Sequence, residues 1–212
     1  MKKSKTLTKI ILVGAGGHAR SCIDVIEQEN KFKIVGTVDK KPFSNNFIYP
    51  FIGTDKDLPS IRENYQYSLI AVGQIKTPKI RIDLYNKLKH LGFKLPVIFS
   101  PFSYASKYAK ISEGTIVMHG AIININASIG SNCIINNKCL IEHDVEIERH
   151  CHISTGAVIN GGVKVGEGSF IGSGSVINQD VKIGKNCVVG SGVVVKSNID
   201  SAQSAVCYAE SV

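Results

Sequence analysis

Residues 111–171 of the chain read ISEGTIVMHGAIININASIGSNCIINNKCLIEHDVEIERHCHISTGAVINGGVKVGEGSFI, and every sixth residue is isoleucine or valine. The pattern begins at Ile111 and reaches Val195 without an insertion, which makes fifteen consecutive positions. These positions are Ile111, Val117, Ile123, Ile129, Ile135, Ile141, Ile147, Ile153, Ile159, Val165, Ile171, Ile177, Ile183, Val189 and Val195. Self-similarity at a fixed period identifies a repeat architecture, and a six-residue period is typical of a parallel β-helix.

The other positions of each hexad favour the same architecture. Four residues after each aliphatic stands a small or apolar residue in most repeats, as at Ala121 and Ala127. Three residues after it stands glycine, asparagine or aspartate in most repeats, and these residues tolerate the positive φ of a tight corner. Each hexad therefore predicts a short strand and a corner, and three hexads predict one triangular coil. This pattern resembles the left-handed parallel β-helix of hexapeptide-repeat acyltransferases, and the left hand rests on that resemblance.

Residues 1–100 alternate between strand and helix patterns instead. Strands are predicted over 9–13, 33–39, 68–72 and 95–99, and helices are predicted from about residue 18 and over 79–91. Such alternation predicts a parallel sheet covered by helices. Pro96, Pro101 and the polar stretch 100–107 mark a hinge, so the predicted domains are a Rossmann-like unit over 1–100 and the β-helix over 101–212.

A glycine-rich string joins the first predicted strand to the first predicted helix. Gly14, Gly16 and Ala19 fit the dinucleotide fingerprint GxGxxG/A, and Asp39 ends the next strand. Glycines at such a turn let backbone amides at a helix N-terminus approach a phosphate or a sugar. Two other interpretations stay open from the string alone, an NAD-dependent oxidoreductase and a glycine turn without a ligand.

Composition excludes several classes of protein. The net charge of +8 comes from 25 Lys and Arg against 17 Asp and Glu, and it suits anionic ligands such as nucleotides and coenzyme A. There is no block of five or six like charges and no tryptophan, so we expect no nucleic-acid partner. No apolar run approaches the roughly 20 residues of a membrane helix. We expect no signal peptide, no membrane partner and a cytoplasmic location.

The six cysteines predict neither a metal site nor a disulfide framework. None of them forms a CxxC pair, and thiols stay reduced in the cytoplasm. Four of them, Cys133, Cys139, Cys151 and Cys187, occupy the small interior position of the hexads and are predicted to be buried. Cys133 and Cys151 lie three hexads apart and are predicted to stack.

Together the two halves resemble the NeuD family of sugar acyltransferases. The resemblance covers nearly the whole chain and rests on Gly-Ala-Gly-Gly-His at 14–18, Val38-Asp39, Ala-Val-Gly at 71–73, Glu-His-Asp at 142–144 and His-Ile-Ser-Thr-Gly at 152–156. The family contains sialic acid O-acetyltransferases and N-acetyltransferases of nucleotide-linked 4-amino-sugars. The resemblance implies acetyl-CoA as the co-substrate, no metal, and a homotrimer with active sites between protomers.

The resemblance also implies roles for individual residues. His143 is expected to be the catalytic base with Asp144 supporting it, and His152 is expected to contact acetyl-CoA. Further acetyl-CoA contacts are expected from the backbone of Gly161, Ser173 and Ser191. The residues expected to bind the nucleotide-linked sugar are Gly16, Gly17, His18, Asp39, Lys40 and Gly73.

Their positions within the hexads place His143 and His152 outside the predicted triangular coils. His143 follows an inward Ile by two residues and lies at a corner, whereas His152 directly precedes an inward Ile and points outward. His90, His119 and His150 match no family role and are predicted to be surface residues. Because the repeat cysteines are predicted to point inward, we favour direct attack by the acceptor over an acyl-cysteine intermediate.

Two reactions and one non-catalytic role remain open from the sequence. The favoured reaction is N-acetylation of a nucleotide-linked 4-amino-sugar, and the alternative is O-acetylation of sialic acid by the same base. A non-catalytic β-helix scaffold is the third possibility. The C-terminal residues 205–212 lack the Gly-x-Pro-Ala-Lys-like tail of the family, so the resemblance assigns no residues to the adenine end of the coenzyme site.

Overall fold

The computed structural model describes residues 7–42 and 47–205, with the side chains of residues 204 and 205 excluded. The expectation about the C-terminal tail therefore concerns residues that, apart from the backbone of Ala205, lie outside the described part. Within the described ranges no helix is both long and apolar enough to cross a membrane.

The N-terminal unit is a parallel sheet with helices on both faces, as the strand–helix alternation predicts. Its four strands are β1 (Thr8–Val13), β2 (Phe32–Val38), β3 (Phe51–Gly53) and β4 (Tyr67–Ile70), and their order across the sheet is β3-β2-β1-β4. Its helices are α1 (Gly17–Glu29), α2 (Leu58–Asn64) and α3 (Lys79–His90). Alternate residues of β1 face opposite layers, because Ile10 packs with α1 whereas Ile11 packs with α2 and α3.

The C-terminal part is a parallel β-helix of very short strands. Each strand pairs with those one coil before and after it, and paired residues are 18 positions apart, as in Ser128 with Glu146. The strands are β5 (Ile98–Phe99), β6 (Tyr104–Ala105), β7 (Lys110–Ile111), β8 (Ile116–Val117), β9 (Ile122–Ile123), β10 (Ser128–Ile129), β11 (Ile134–Ile135), β12 (Leu140–Ile141), β13 (Glu146–Ile147), β14 (His152–Ile153), β15 (Val158–Ile159), β16 (Lys164–Val165), β17 (Phe170–Ile171), β18 (Val176–Ile177), β19 (Lys182–Ile183), β20 (Val188–Val189), β21 (Val194–Val195) and β22 (Ser204–Ala205). The predicted hexad period and three-sided coil are confirmed.

The strands form three sheets, which are the three faces of the prism. The first face contains β5, β8, β11, β14, β17, β20 and β22, the second contains β6, β9, β12, β15, β18 and β21, and the third contains β7, β10, β13, β16 and β19. The aliphatic and the small residue of each hexad fill one continuous core. Corner residues such as Asn126 and Asp144 have φ of 59°, in agreement with the predicted corners.

The interior cysteines lie where the repeat predicts. Cys133, Cys139, Cys151 and Cys187 are all buried and unpaired by disulfides. Cys133 and Cys151 stack, since the backbone N–H of Cys151 donates to the Sγ of Cys133 at 3.4 Å.

One predicted strand belongs to a different sheet. The segment 95–99 was expected to end the N-terminal sheet, but β5 pairs with β8 and starts the first face of the prism. The reason is visible in the repeat, because Phe99 and Ala105 continue the six-residue phase backward from Ile111. The predicted hinge 100–107 is consequently part of the first coil.

The outward residue of each strand gives the three faces different chemistry. The N-terminal unit covers the first face, where Ile116 and Ile134 pack with α1. The third face is polar, with Lys110, Ser128, Glu146, Lys164 and Lys182 pointing outward. The second face is apolar, with Tyr104, Ile122, Leu140, Val158, Val176 and Val194 in one column.

Candidate active site

A cleft of about 640 Å³ opens where the carboxyl ends of β1, β2 and β4 meet. This edge is where parallel α/β sheets bind their ligands. Its lining includes every residue that the sequence assigned to the sugar nucleotide: Gly16, Gly17, His18, Asp39, Lys40 and Gly73. The structure thus brings these residues together, and their binding role stays a prediction.

The glycines of the loop have two different structural roles. Gly14 has φ of +108°, and a Cβ there would lie 2.7 Å from Cγ2 of Val72, so only glycine fits without strain. Gly16 and Gly17 differ, because a Cβ at either position would meet nothing within 4 Å. They leave open space at the N-terminus of α1, whose first turn carries no acidic residue to neutralise the helix dipole.

Asp39 holds the glycine loop against the end of β2 through hydrogen bonds. Its Oδ2 accepts a hydrogen bond from the backbone N–H of Ala15 at 2.7 Å, and its Oδ1 accepts one from the N–H of Lys40 at 2.7 Å. The carboxylate therefore fixes the glycine loop.

His18 lies between the cleft and the β-helix. Burial, followed by the nearby charges of Arg81 and His152, lowers the pKa of His18 to about 3, so the imidazole is neutral. Its Nε2 is buried and finds no hydrogen-bond partner among the described residues. The rings of His18 and His152 lie 6.4 Å apart between their centroids.

His143 lies on the corner between the second and third faces, and its side chain is about half exposed. Nδ1 lies 2.8 Å from Oδ2 of Asp144. Because a carboxylate only accepts, Nδ1 carries the proton and Nε2 has a free lone pair. The hydrogen bond to Asp144, with the charges of Asp144, Glu142 and Asp180, raises the pKa of His143.

Gly161 lies beside the His143 ring, one coil further along the same corner. A Cβ at Gly161 would lie 2.7 Å from both Cε1 and Nε2 of His143. The ring therefore occupies the space that the missing side chain leaves.

His152 points out of the prism, as predicted, but the N-terminal unit covers it. Its Nδ1–H donates to the carbonyl of Gln74 at 2.6 Å, and its Nε2 accepts from Nδ2 of Asn136 at 3.1 Å. Burial lowers the pKa of His152 to about 4. Both ring nitrogens are thus engaged by protein groups, and the contact with acetyl-CoA stays a prediction.

Ser173 and Ser191 lie on another corner, the one between the first and second faces. They are 18 residues apart and stack on successive coils, and Oγ of Ser173 lies 2.9 Å from Oγ of Ser154. The predicted site residues of one chain therefore fall in four places, which are the cleft, the His143 corner, the Ser173 corner and the covered position of His152 on the first face.

Two histidines predicted to be surface residues are in fact part of the contact between the two units. His150 is buried, and its Nδ1 lies 2.9 Å from Nδ2 of Asn132. His119 is half-buried, with Nδ1 2.6 Å from Oγ of Ser100 and Nε2 2.8 Å from Oδ2 of Asp24 on α1. The third one, His90, is exposed as predicted.

Arg81 was missed by the sequence analysis. Its fully buried guanidinium donates to the carbonyls of Ile70 and Val72 and to both oxygens of Asn132, at 2.6–3.1 Å. Burial lowers the pKa of Arg81 to about 10, which keeps the cation at neutral pH. A burial signal was present, because helix α3 places residue 81 on the same face as Leu84 and Leu88.

Within the described residues no group of three or more His, Cys, Asp or Glu side chains is placed to hold a metal ion.

Family models match both halves of the chain. The model described as the PglD N-terminal domain matches residues 9–88, and the bacterial transferase hexapeptide model, of six repeats, matches residues 126–161 and 162–197. No curated protein matches significantly.

Three of the solved structures that match the chain each cover more than nine tenths of it. PerB from Caulobacter crescentus, in complex with CoA and GDP-perosamine, is 30% identical over 92% of both chains, with a TM-score of 0.86. A mutant of perosamine N-acetyltransferase from the same organism, with the same ligands, is 29% identical over 94% of this chain and 93% of that one, with a TM-score of 0.88. The acetyltransferase domain of PglB from Neisseria gonorrhoeae FA1090, in complex with acetyl coenzyme A, is 28% identical over 93% of this chain and 95% of that one, with a TM-score of 0.86.

The fold and the matches define a hexapeptide-repeat transferase, an enzyme of the class that takes an acetyl group from acetyl-CoA. Within that class the chain belongs to the NeuD-type family of sugar acetyltransferases, which carry a PglD N-terminal domain ahead of the β-helix.

Proposed function

We propose that the enzyme transfers an acetyl group from acetyl-CoA to the amine of a nucleotide-linked 4-amino-sugar. The observation that carries the proposal is the pair of features in one chain, a glycine-lined cleft at a helix N-terminus and a histidine whose Nε2 is free. The relatives that bind GDP-perosamine and coenzyme A support the same reaction. The N-terminal unit supplies the sugar-nucleotide cleft and the β-helix supplies the transfer site.

In the proposed reaction His143 is the general base. The acceptor nitrogen attacks the thioester carbonyl while Nε2 of His143 takes its proton, so a C–N bond forms. Asp144 holds the tautomer and stabilises the imidazolium. As the tetrahedral intermediate collapses, the C–S bond breaks and the CoA thiolate leaves with the proton from the imidazolium. The backbone N–H of Gly161, beside His143, is suited to stabilise the oxyanion.

A single chain separates the two halves of this site. The cleft belongs to the unit that covers the first face, whereas His143 lies on the corner between the second and third faces. In a triangular coil that corner is opposite the first face. We infer that the cleft of one protomer serves His143 of its neighbour in a cyclic homotrimer, with acetyl-CoA between them along His152, Ser173 and Ser191.

The apolar second face supports the trimer. Its column of outward aliphatic side chains runs between the Ser173 corner and the His143 corner, and Ile122 and Val194 are 42% and 51% exposed in the single chain. A monomer rarely exposes a continuous apolar strip of this kind, so a second copy of the chain is the occupant we infer. We place the reaction in the cytoplasm, in keeping with the five free cysteines in the described ranges.

The first experiment measures CoA release from acetyl-CoA against UDP-, GDP- and dTDP-linked 4-amino-sugars and against free and CMP-linked sialic acid. Turnover with an amino-sugar, abolished in His143→Ala, is expected. Turnover with the sialic acids alone would replace the proposal by O-acetylation. Silence across the panel, in protein that binds neither substrate, would indicate a scaffold.

A mixing experiment tests the shared site. His143→Ala and Gly17→Val proteins are each expected to be inactive, and refolding them together is expected to restore about a quarter of wild-type activity, because one subunit contact in four pairs an intact cleft with an intact histidine. No restoration in protein shown to be trimeric would place both halves of the site in one chain. Leu140→Lys on the second face is expected to yield monomers, whereas its control on the third face, Ser128→Lys, stays trimeric.

A further inference from the structure

The residues Glu142, His143 and Asp144 stack on three residues of the preceding coil. The 18-residue register places Asn124, Ile125 and Asn126 directly under them on the same corner. The repeat explains only the backbone of Asn126, whose φ of 59° makes the corner, and it does not require an amide side chain at either position 124 or position 126.

Each asparagine holds one of the two carboxylates that flank the histidine. Nδ2 of Asn124 donates to Oε2 of Glu142 at 2.9 Å. Nδ2 of Asn126 donates to Oδ1 of Asp144 at 3.2 Å, while Oδ2 of Asp144 accepts from His143. The two oxygens of Asp144 are thus divided between the histidine and the asparagine.

We propose that Asn126 is a positioning residue for the catalytic base, holding the Asp144 carboxylate in the one rotamer that fixes the His143 ring. Asn124 steadies Glu142 in the same way. The inference rests on the proposed role of His143 as the base.

The exposure of His143 and Asp144 explains why a hydrogen bond from Asn126 matters. The side chains of His143 and Asp144 are 54% and 57% exposed, and an ion pair between exposed groups is weak in water. Asp144 alone would sample several rotamers at this corner. The hydrogen bonds from His143 and Asn126 together hold the pKa of Asp144 below its usual range.

The charged groups that shift the pKa of His143, among the described residues, are carboxylates. Glu142 and Asp144 flank it on its own corner, and Asp180 lies one coil beyond Gly162. Their combined effect is to raise the pKa of His143, and the bond to Asp144 is the largest cause. Loss of that bond therefore lowers the pKa of His143.

The test compares two substitutions at one position. Asn126→Gly keeps the φ of 59° and removes the amide, so Asp144 is released. We expect kcat to fall about tenfold and the acid limb of kcat/KM to move to lower pH. Asn126→Asp adds a fourth carboxylate beside His143 and is expected to move the limb to higher pH.

Asn186→Gly is the matched control, since Asn186 has φ of 54° on the corner between the third and first faces. It is expected to leave both kcat and the limb unchanged. The His143 Cε1–H resonance, followed by NMR without substrates, gives the same shift independently of activity.

Different outcomes would overturn the inference and the proposed function. An acid limb and a His143 resonance that stay in place in both Asn126 variants would overturn the inference, even if His143→Ala is inactive. Full activity of His143→Ala would instead remove the proposed base itself.

Discussion

The space that Gly161 leaves for the His143 ring predicts a large loss of activity with little loss of stability. In Gly161→Ala the new Cβ would lie 2.7 Å from Cε1 and Nε2 of His143. Non-bonded carbon atoms need about 3.5–4.0 Å, so the ring must move by about 1 Å. The ring is about half exposed and can shift toward solvent by weakening its bond to Asp144, and the backbone of Gly161 has no positive φ that would resist alanine. If His143 is the proposed base, a displacement of that size is expected to lower kcat by about 100-fold.

The assay is thiol detection of released CoA, with thermal unfolding of the same preparations. Gln179→Ala is the control, because Gln179 lies one coil further along the same corner and is exposed. We expect Gly161→Ala to lose kcat while its Tm stays within a degree or two of the control. Unchanged kcat would refute the reasoning, since it would mean that the ring position does not matter to the chemistry. A large drop in Tm would show that the methyl group disturbs the coil instead.

Three further predictions concern the N-terminal unit and its contact with the prism. Gly14→Ala forces alanine to φ of +108° and is expected to lower the free energy of unfolding, measured in urea, by about 1–3 kcal/mol and to weaken nucleotide binding. Wild-type values for both would contradict the predicted strain at this position. Arg81→Met leaves buried acceptors unpaired and is expected to lower the free energy of unfolding by about 3–5 kcal/mol, and an equally stable variant would show that the cation is dispensable. Stability is expected to fall between pH 7 and 5, because His18 and His152 have pKa values of about 3 and 4 when folded and 6.5 when unfolded, so the unfolded chain takes up the protons first. Each of the two histidines contributes about 2 kcal/mol to the loss of stability between pH 7 and 5. Replacing either one by asparagine is expected to flatten the pH dependence of the free energy of unfolding, whereas His90→Asn leaves it unchanged.

The β-helix could be predicted from the sequence because its order is local and periodic. Each coil contacts only its neighbours, so the same choice of residue recurs every six positions and the pattern is readable without knowledge of any distant contact. The cleft could be predicted for a related reason. Its glycine loop and Asp39 lie at the ends of adjacent strands, which the topology of a parallel sheet brings together.

The contact between the two units could not be predicted in this way. The burial of His150 and of His152 depends on where α3 and the Gln74 segment rest against the first face, and no sequence period encodes that placement. The segment 95–99 was ambiguous for another reason. A short apolar run suits either sheet, and only the backward continuation of the hexad phase to Phe99 favours the prism.

The unbroken period of the prism fixes how the residues of the candidate site are placed relative to one another. Asn126, Asp144 and Gly162 follow one another on a single corner because three hexads separate each from the next. One inserted residue between them would turn the following side chains from interior to exterior and rotate His143 away from its supports. A duplicated block of 18 residues would instead lengthen the molecule and leave every corner in phase. The prism therefore accepts insertions in multiples of 18 residues, because only these keep each corner and each face in register.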